Sequence, residues 1–243
     1  MEQQTKWYAF FPNLLTILNL LSGAVAIYFA LNNNIELAVI LMFAGAIFDF
    51  FDGFVARLLK VSGELGKQLD SLADVVTFGV LPGAIVFSTQ RLLITENGFE
   101  NFTLLQWIYI LSPLLIPAFS ALRLAKFNID TRQSKSFIGL PTPANALFFA
   151  SLCYGIVLSN SAIGSIAARP GVLFILTVVF SYLLVSPIPM FSLKFSSYGF
   201  KKNLATYLFL ILSIVLIVFF TINAIPAVII LYILISLVLL LKK

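Results

Sequence analysis

Residues 49–74 read DFFDGFVARLLKVSGELGKQLDSLAD and set four aspartates, Asp49, Asp52, Asp70 and Asp74, where apolar runs enter and leave. They belong to only 10 acidic residues in a chain of 243 that is 60% hydrophobic and 10% charged. Read as helix at about 100° per residue with Asp49 at zero, Asp52 falls at about −60°, Gly53 at about +40°, Ala56 at about −20° and Arg57 at about +80°. One narrow face thus carries two carboxylates, two very small residues and a guanidinium. With Asp70 at zero on the next helix, Gly66 falls at about −40°, Asp74 at about +40° and Thr77 at about −20°. Residues 58–65, with Ser62 and Gly63, are few enough to form a turn. The two helices are therefore expected to be antiparallel neighbours whose polar faces bring four carboxylates into one pocket.

The surrounding composition identifies the solvent. A mean hydropathy of +1.04 and charge-free runs at residues 7–35, 101–122, 136–168 and 203–241 exceed what a water-soluble core can hide. An unpaired backbone cannot cross lipid, so each run is read as helix. The expected fold is all-α: a polytopic helical membrane protein with about eight transmembrane helices, near 12–31, 35–59, 67–90, 103–125, 141–163, 170–192, 203–222 and 225–241. The long run 203–241 is expected to turn back at 221-TINAIP-226, where Asn223 and Pro226 break the helix. No repeat or linker divides the chain, so residues 1–243 are expected to form a single membrane domain. The first apolar run is too long for a signal-peptide core and no small-residue cleavage site follows it, so it is expected to be retained.

Charge orients the spans. Lys6, Arg57, Lys60, Lys67, Arg123, Lys126, Arg132, Lys135, Lys194, Lys201, Lys202, Lys242 and Lys243 fall on one side of this topology, and only Arg91 and Arg169 on the other. By the positive-inside bias both termini are expected in the cytoplasm, with the aspartate stretch at the cytoplasmic boundary. Many of these cations need do no more than anchor to anionic headgroups. Arg57, Arg123 and Lys126 differ in lying at span ends beside polar motifs.

The chain has a single cysteine, Cys153, and no histidine. Internal disulfides, histidine metal sites and histidine acid-base chemistry are excluded, and any metal must be held by oxygen. Four carboxylates converging near lipid repel one another and lose hydration, which calls for a neutralising cation; hard oxygen ligands favour Mg²⁺, Mn²⁺ or Ca²⁺, and four of them suit a two-metal site. The glycines leave open backbone for a bulky ligand and Arg57 can fork onto phosphate, so a phosphate-bearing substrate fits. Alone, each aspartate would read as a cap and the Gly-x2-Ala face as a helix-packing surface. A cation-coupled transporter is the other functional class compatible with intramembrane carboxylates. Its sites usually lie at the midplane on broken, repeated helices, whereas these acids gather at one boundary.

The pattern Asp49-x2-Asp52-Gly53-x2-Ala56-Arg57-x8-Gly66-x3-Asp70-x3-Asp74 resembles the signature of the CDP-alcohol phosphotransferases. The resemblance implies transfer of a phosphatidyl or similar group from a CDP-linked donor to an alcohol, with release of CMP, a two-metal site for Mg²⁺ or Mn²⁺ on Asp49, Asp52, Asp70 and Asp74, and a homodimer. Upstream, 12-PNLLTILNLLSG-23 is similar to the entry segment of many members, implying that Asn13, Thr16 and Asn19 join Gly53, Ala56, Arg57 and Gly66 in binding the CDP-lipid. Downstream, 121-ALRLAKFNID-130 and 137-FIGLPTPANA-146 resemble segments of the bacterial and archaeal phosphatidylserine synthase branch, with Lys126 where an arginine is more usual. The motif-bearing part therefore spans 12–146. The branch implies CDP-diacylglycerol and serine as substrates, with Arg123, Lys126 and Asn128 as acceptor-binding residues and Asp74 as catalytic base. Glycerol phosphate or inositol phosphate remain alternative acceptors. The expected setting is a prokaryotic cytoplasmic membrane with the site at its cytoplasmic face, among membrane lipids and with no nucleic-acid partner.

Overall fold

A computed structural model describes residues 10–61, 63–94, 102–129, 137–159, 162–191 and 203–241. Helices α1 (Phe10–Leu31) and α2 (Ile35–Leu58) form a hairpin. Its turn is built by asparagines: Asn33 takes a φ of 62°, which its short polar side chain tolerates, and Asn34 caps α2 by accepting from the Leu37 amide at 3.1 Å. Arg91 donates to the Leu31 carbonyl at 3.0 Å and to Asn33 Oδ1 at 2.8 Å, which neutralises the C-terminal end of α1.

After a turn in which Lys60 has a φ of 52°, one helical stretch runs through α3 (Glu64–Val75), a π-helical segment (Val76–Val80) and α4 (Leu81–Ile94). The next joins α5 (Leu104–Leu111), a 3₁₀ turn (Ser112–Leu114) and α6 (Leu115–Ile129). Strand β1 (Phe137–Ile138) then precedes α7 (Thr142–Tyr154), which continues as a second π-helical segment (Gly155–Ser159). The chain closes with α8 (Ala162–Ala167), α9 (Pro170–Val185), β2 (Pro189–Met190), α10 (Leu204–Phe220), a 3₁₀ turn (Thr221–Ala224) and α11 (Ile225–Leu241).

Six stretches among the described residues are long and apolar enough to cross a membrane, so the chain is a polytopic helical membrane protein. One of them, Thr206–Leu241, is not a single rod. The rings of Phe209 and Tyr232 lie 5.8 Å apart, whereas a straight helix would separate these residues by about 34 Å. Helices α10 and α11 are thus a hairpin, hinged where Thr221 takes a φ of 50°.

Two departures from the sequence expectation have local causes. The helix expected over 170–192 ends at Val185, because Pro187 and Pro189 lack the amide donors a helix requires. The segment after it is extended, and β2 pairs antiparallel with β1, Phe137 opposite Met190 and Ile138 opposite Pro189, adding a small strand pair to the all-α plan. Gly139, at a φ of 77°, lets this corner press on the end of α9: a Cβ there would lie 2.5 Å from the Leu184 carbonyl oxygen.

The core lies where α1, α2, α4, α7 and α9 meet, with Phe78, Ile85, Phe148 and Phe149 buried and Phe148 stacked on Phe180 at 3.7 Å between centroids. Small residues set the closest approaches. A Cβ on Gly23 would collide with the Thr77 hydroxyl, and one on Gly45 would lie 2.8 Å from Thr77 Cγ2. The outward faces are apolar, with Leu21, Tyr28, Ile40, Ile47 and Phe50 exposed, as expected of surfaces solvated by lipid rather than water. Of the cations used to orient the spans, Lys6, Arg132, Lys135, Lys194, Lys201, Lys202, Lys242 and Lys243 lie outside the described residues.

Candidate active site

The carboxylates of Asp49 on α2 and of Asp70 and Asp74 on α3 come together, one oxygen from each lying within 4.8 Å of the others. Helix α1 packs against both α2 and α3, whereas the backbones of α2 and α3 make few close approaches. The acids therefore converge from helices whose backbones stay apart. Three carboxylates this close cannot all carry unbalanced charge away from water. Their donor set is oxygen only, and Asp74 Oδ1 is buried with no hydrogen-bond partner. Both features suit a hard divalent cation such as Mg²⁺ or Mn²⁺.

Asp52 stands apart from this group of three. It is 6% exposed and accepts from the Thr16 hydroxyl through Oδ2 at 2.7 Å. The same hydroxyl reaches the Pro12 carbonyl at 3.1 Å, which fixes its rotamer on α1. Asn13, Thr16 and Asn19 recur every three residues on α1 and run along the site. Asn13 Oδ1 would lie 3.4 Å from a Cβ on Gly66, so the absence of that carbon lets α3 approach α1 here. Asn19 is fully buried; its backbone carbonyl accepts from the Thr77 hydroxyl at 3.1 Å, and its side-chain oxygen would lie 3.1 Å from a Cβ on Gly45.

Arg57, in the last turn of α2, folds back over Gly53, with Nη1 at 3.4 Å from where a Cβ would sit. Ala56 precedes it, partly buried on the same helix. The π-helical segment begins two residues after Asp74 and inserts an extra residue into that turn, a device common at functional sites. Its Gly79 packs against α6, where a Cβ would lie 3.1 Å from that of Ser120.

On the far side of Asp74, Arg123 is only 8% exposed, within electrostatic range of the Asp74 carboxylate. Its Nη1 donates to the Thr142 hydroxyl at 3.0 Å, its guanidinium lies over the Phe127 ring at 5.4 Å, and Nε has no partner. The other two sequence-predicted acceptor residues do not join it. Lys126 is exposed, and Asn128 donates through Nδ2 to the Ser71 hydroxyl at 2.8 Å while its backbone carbonyl accepts from Lys67 Nζ at 3.0 Å. These bonds tie α6 to α3. Thr142 was not singled out from sequence, because within PTPAN it reads as an ordinary helix-start residue; only a buried arginine in need of an acceptor identifies it.

Carboxylates converging within 4.8 Å, a buried guanidinium within electrostatic range of one of them and a polar strip on α1 make an arrangement suited to a charged ligand. The sequence model of the CDP-alcohol phosphatidyltransferase family matches residues 9–183. The chain belongs to that family. Relatives within the CDP-alcohol phosphatidyltransferases include the CDP-diacylglycerol--serine O-phosphatidyltransferase of Bacillus subtilis, 38% identical over 196 residues, which are 81% of this chain and 94% of the relative. The enzyme of the same name from Mycobacterium leprae is 37% identical over 56% of this chain and 44% of its own length. The archaetidylserine synthase of Methanothermobacter thermautotrophicus is 36% identical over 58% of this chain and 56% of its own.

Proposed function

We propose that this chain transfers the phosphatidyl group of CDP-diacylglycerol to the hydroxyl of serine, giving phosphatidylserine and CMP. The observation that carries the reading is the likeness to the Bacillus subtilis serine O-phosphatidyltransferase, which runs along 94% of that protein. The buried Arg123 beside the acid cluster supports it, since an acceptor bearing a carboxylate needs a cation at that position.

In this reading Asp49, Asp70 and Asp74 hold the metal, with Asp52 completing a two-metal site. Bound there, Mg²⁺ or Mn²⁺ would neutralise charge on the pyrophosphate and on departing CMP. Thr16 orients Asp52 through its hydroxyl. Asn13 and Asn19, with the open backbone at Gly53 and Gly66, receive the nucleotide end of the lipid, and Arg57 balances phosphate charge. Asp74 accepts the proton of the serine hydroxyl as the serine oxygen bonds to the β-phosphorus and the bond from that phosphorus to the bridging oxygen breaks, releasing CMP. Arg123 receives the serine carboxylate.

The whole chain acts as one eight-span domain with both termini in the cytoplasm and the site at the cytoplasmic face of a prokaryotic membrane, working as a homodimer. The lipid tails stay in the bilayer while serine enters from water. Purified protein given CDP-diacylglycerol, a divalent cation and separately serine, glycerol phosphate, inositol phosphate or no acceptor should release CMP fastest with serine. Equal CMP release with and without serine would remove the assignment, and ion-dependent solute flux without CDP-lipid consumption would return the transporter reading.

A further inference from the structure

Asn145 is fully buried on α7, and neither its amide nitrogen nor its side-chain oxygen has a hydrogen-bond partner. A primary amide stripped of water with all its capacity unmet is rare in a folded chain and destabilising unless something supplies partners. Asn145 follows Thr142 by three residues, about one turn and roughly 4.5 Å along the axis, so it lies on the side of α7 that carries the hydroxyl bonded by Arg123. Arg123 Nε and Asp74 Oδ1 are also buried without partners. Among the described residues, the unused groups on α3, α6 and α7 thus include a carboxylate oxygen, a guanidinium N–H, an amide N–H pair and an amide oxygen, together with the Ser120 hydroxyl on α6.

An α-amino acid with a hydroxyl presents the complementary set: a proton to give the carboxylate, a carboxylate for the guanidinium and amide donors, and an ammonium for the amide oxygen. Asn128 is engaged elsewhere: its Nδ2 donates to the Ser71 hydroxyl and its backbone carbonyl accepts from Lys67, contacts that tie α6 to α3. We infer that Asn145 is a specificity-determining residue of the acceptor pocket, its Oδ1 accepting from the serine ammonium and its Nδ2 donating, with Arg123 Nε, to the serine carboxylate. The inference rests on serine being the acceptor. Because neither end of the amide is held within the protein, it can take the orientation that sets Oδ1 toward the ammonium and Nδ2 toward the carboxylate without breaking an existing bond.

The test measures CMP release from CDP-diacylglycerol by full-length wild type, Asn145→Asp and Asn145→Ser, with serine and with ethanolamine, which has the ammonium but no carboxylate. Asn145→Asp keeps an acceptor for the ammonium and sets a negative charge against the carboxylate. It should raise the serine KM by about tenfold or more and lower the serine-to-ethanolamine ratio of kcat/KM by a similar factor, with the KM for CDP-diacylglycerol changed less than about twofold. Asn145→Ser, which cannot span both groups, should raise the serine KM with little change in that for the lipid. An unchanged serine KM, or equal losses with both acceptors, overturns the inference. Failure of both variants to yield folded protein on size exclusion overturns it as well, since the amide is then structural. Wild type that releases CMP with glycerol phosphate but not with serine removes the serine reading itself, whatever the variants do.

Discussion

Replacing Thr16 by valine keeps the shape of the side chain and deletes the one hydroxyl that α1 offers to Asp52. That bond is 2.7 Å long, involves a carboxylate and is buried, since Thr16 is 3% and Asp52 6% exposed. Hydrogen bonds to charged groups contribute about 1.5–3 kcal/mol, and bulk water cannot easily replace a donor lost here. Valine also frees the Asp52 carboxylate to rotate. Loss of a partner that orients a metal-binding carboxylate typically lowers metal affinity by about 10- to 100-fold, the same range as the bond energy converts to. Titrating Mg²⁺ or Mn²⁺ against CMP release should therefore move the half-saturating concentration upward by about that factor in Thr16→Val, while the serine KM stays put. Thr16→Ser, which keeps the hydroxyl, should stay within about threefold of wild type. A Thr16→Val protein with unchanged metal dependence and full turnover would refute the idea that α1 helps to build the cation site.

Asp49→Asn and Asp70→Asn each remove one of three clustered charges and should abolish CMP release while the protein still elutes as a folded species; full turnover at ordinary metal concentration would dismiss the cluster as the reaction centre. Arg123→Lys keeps a charge but loses the planar fork and should raise the serine KM by about tenfold or more, leaving that for CDP-diacylglycerol nearly unchanged, and serinamide should be a poor acceptor for both proteins. Gly23→Ala drives a methyl into Thr77, where the backbone Cα is also only 3.0 Å from the added carbon, and should cost about 1–3 kcal/mol of stability, read as a lower unfolding midpoint in detergent.

Much of this molecule is legible along the chain because bilayer chemistry is restrictive. Long charge-free runs have to be helices, and the hairpin of α10 and α11 follows from Asn223 and Pro226 inside one of them. The spacing of Asp49, Asp70 and Asp74 also carries through, because residues four apart on α3 share a face. What spacing does not convey is the distance between helices. Only the fold reveals that α1 rather than α3 lies tight against α2, so that Asp52 is held by the Thr16 hydroxyl of α1. Pro187 and Pro189 account for the extended segment after α9, because hydropathy registers the apolar run but not the missing amide donors. Asn128 and Asn145 illustrate the same limit: both are asparagines near helix ends, and only their neighbours separate one bonded to Ser71 from one whose side chain has no partner.

Helix α2, which carries Asp49 and Asp52, exposes the rings of Phe50, Phe51 and Phe54 on its other side, a surface solvated by lipid rather than water. A donor drawn from that lipid would arrive by lateral diffusion and never cross the aqueous phase. Its driving concentration is then a surface density, moles of donor per mole of surrounding lipid, whereas serine is governed by ordinary molarity. Diluting the donor with inert lipid at constant bulk concentration would slow such an enzyme, and diluting the whole suspension with serine held constant would leave the rate per protein untouched.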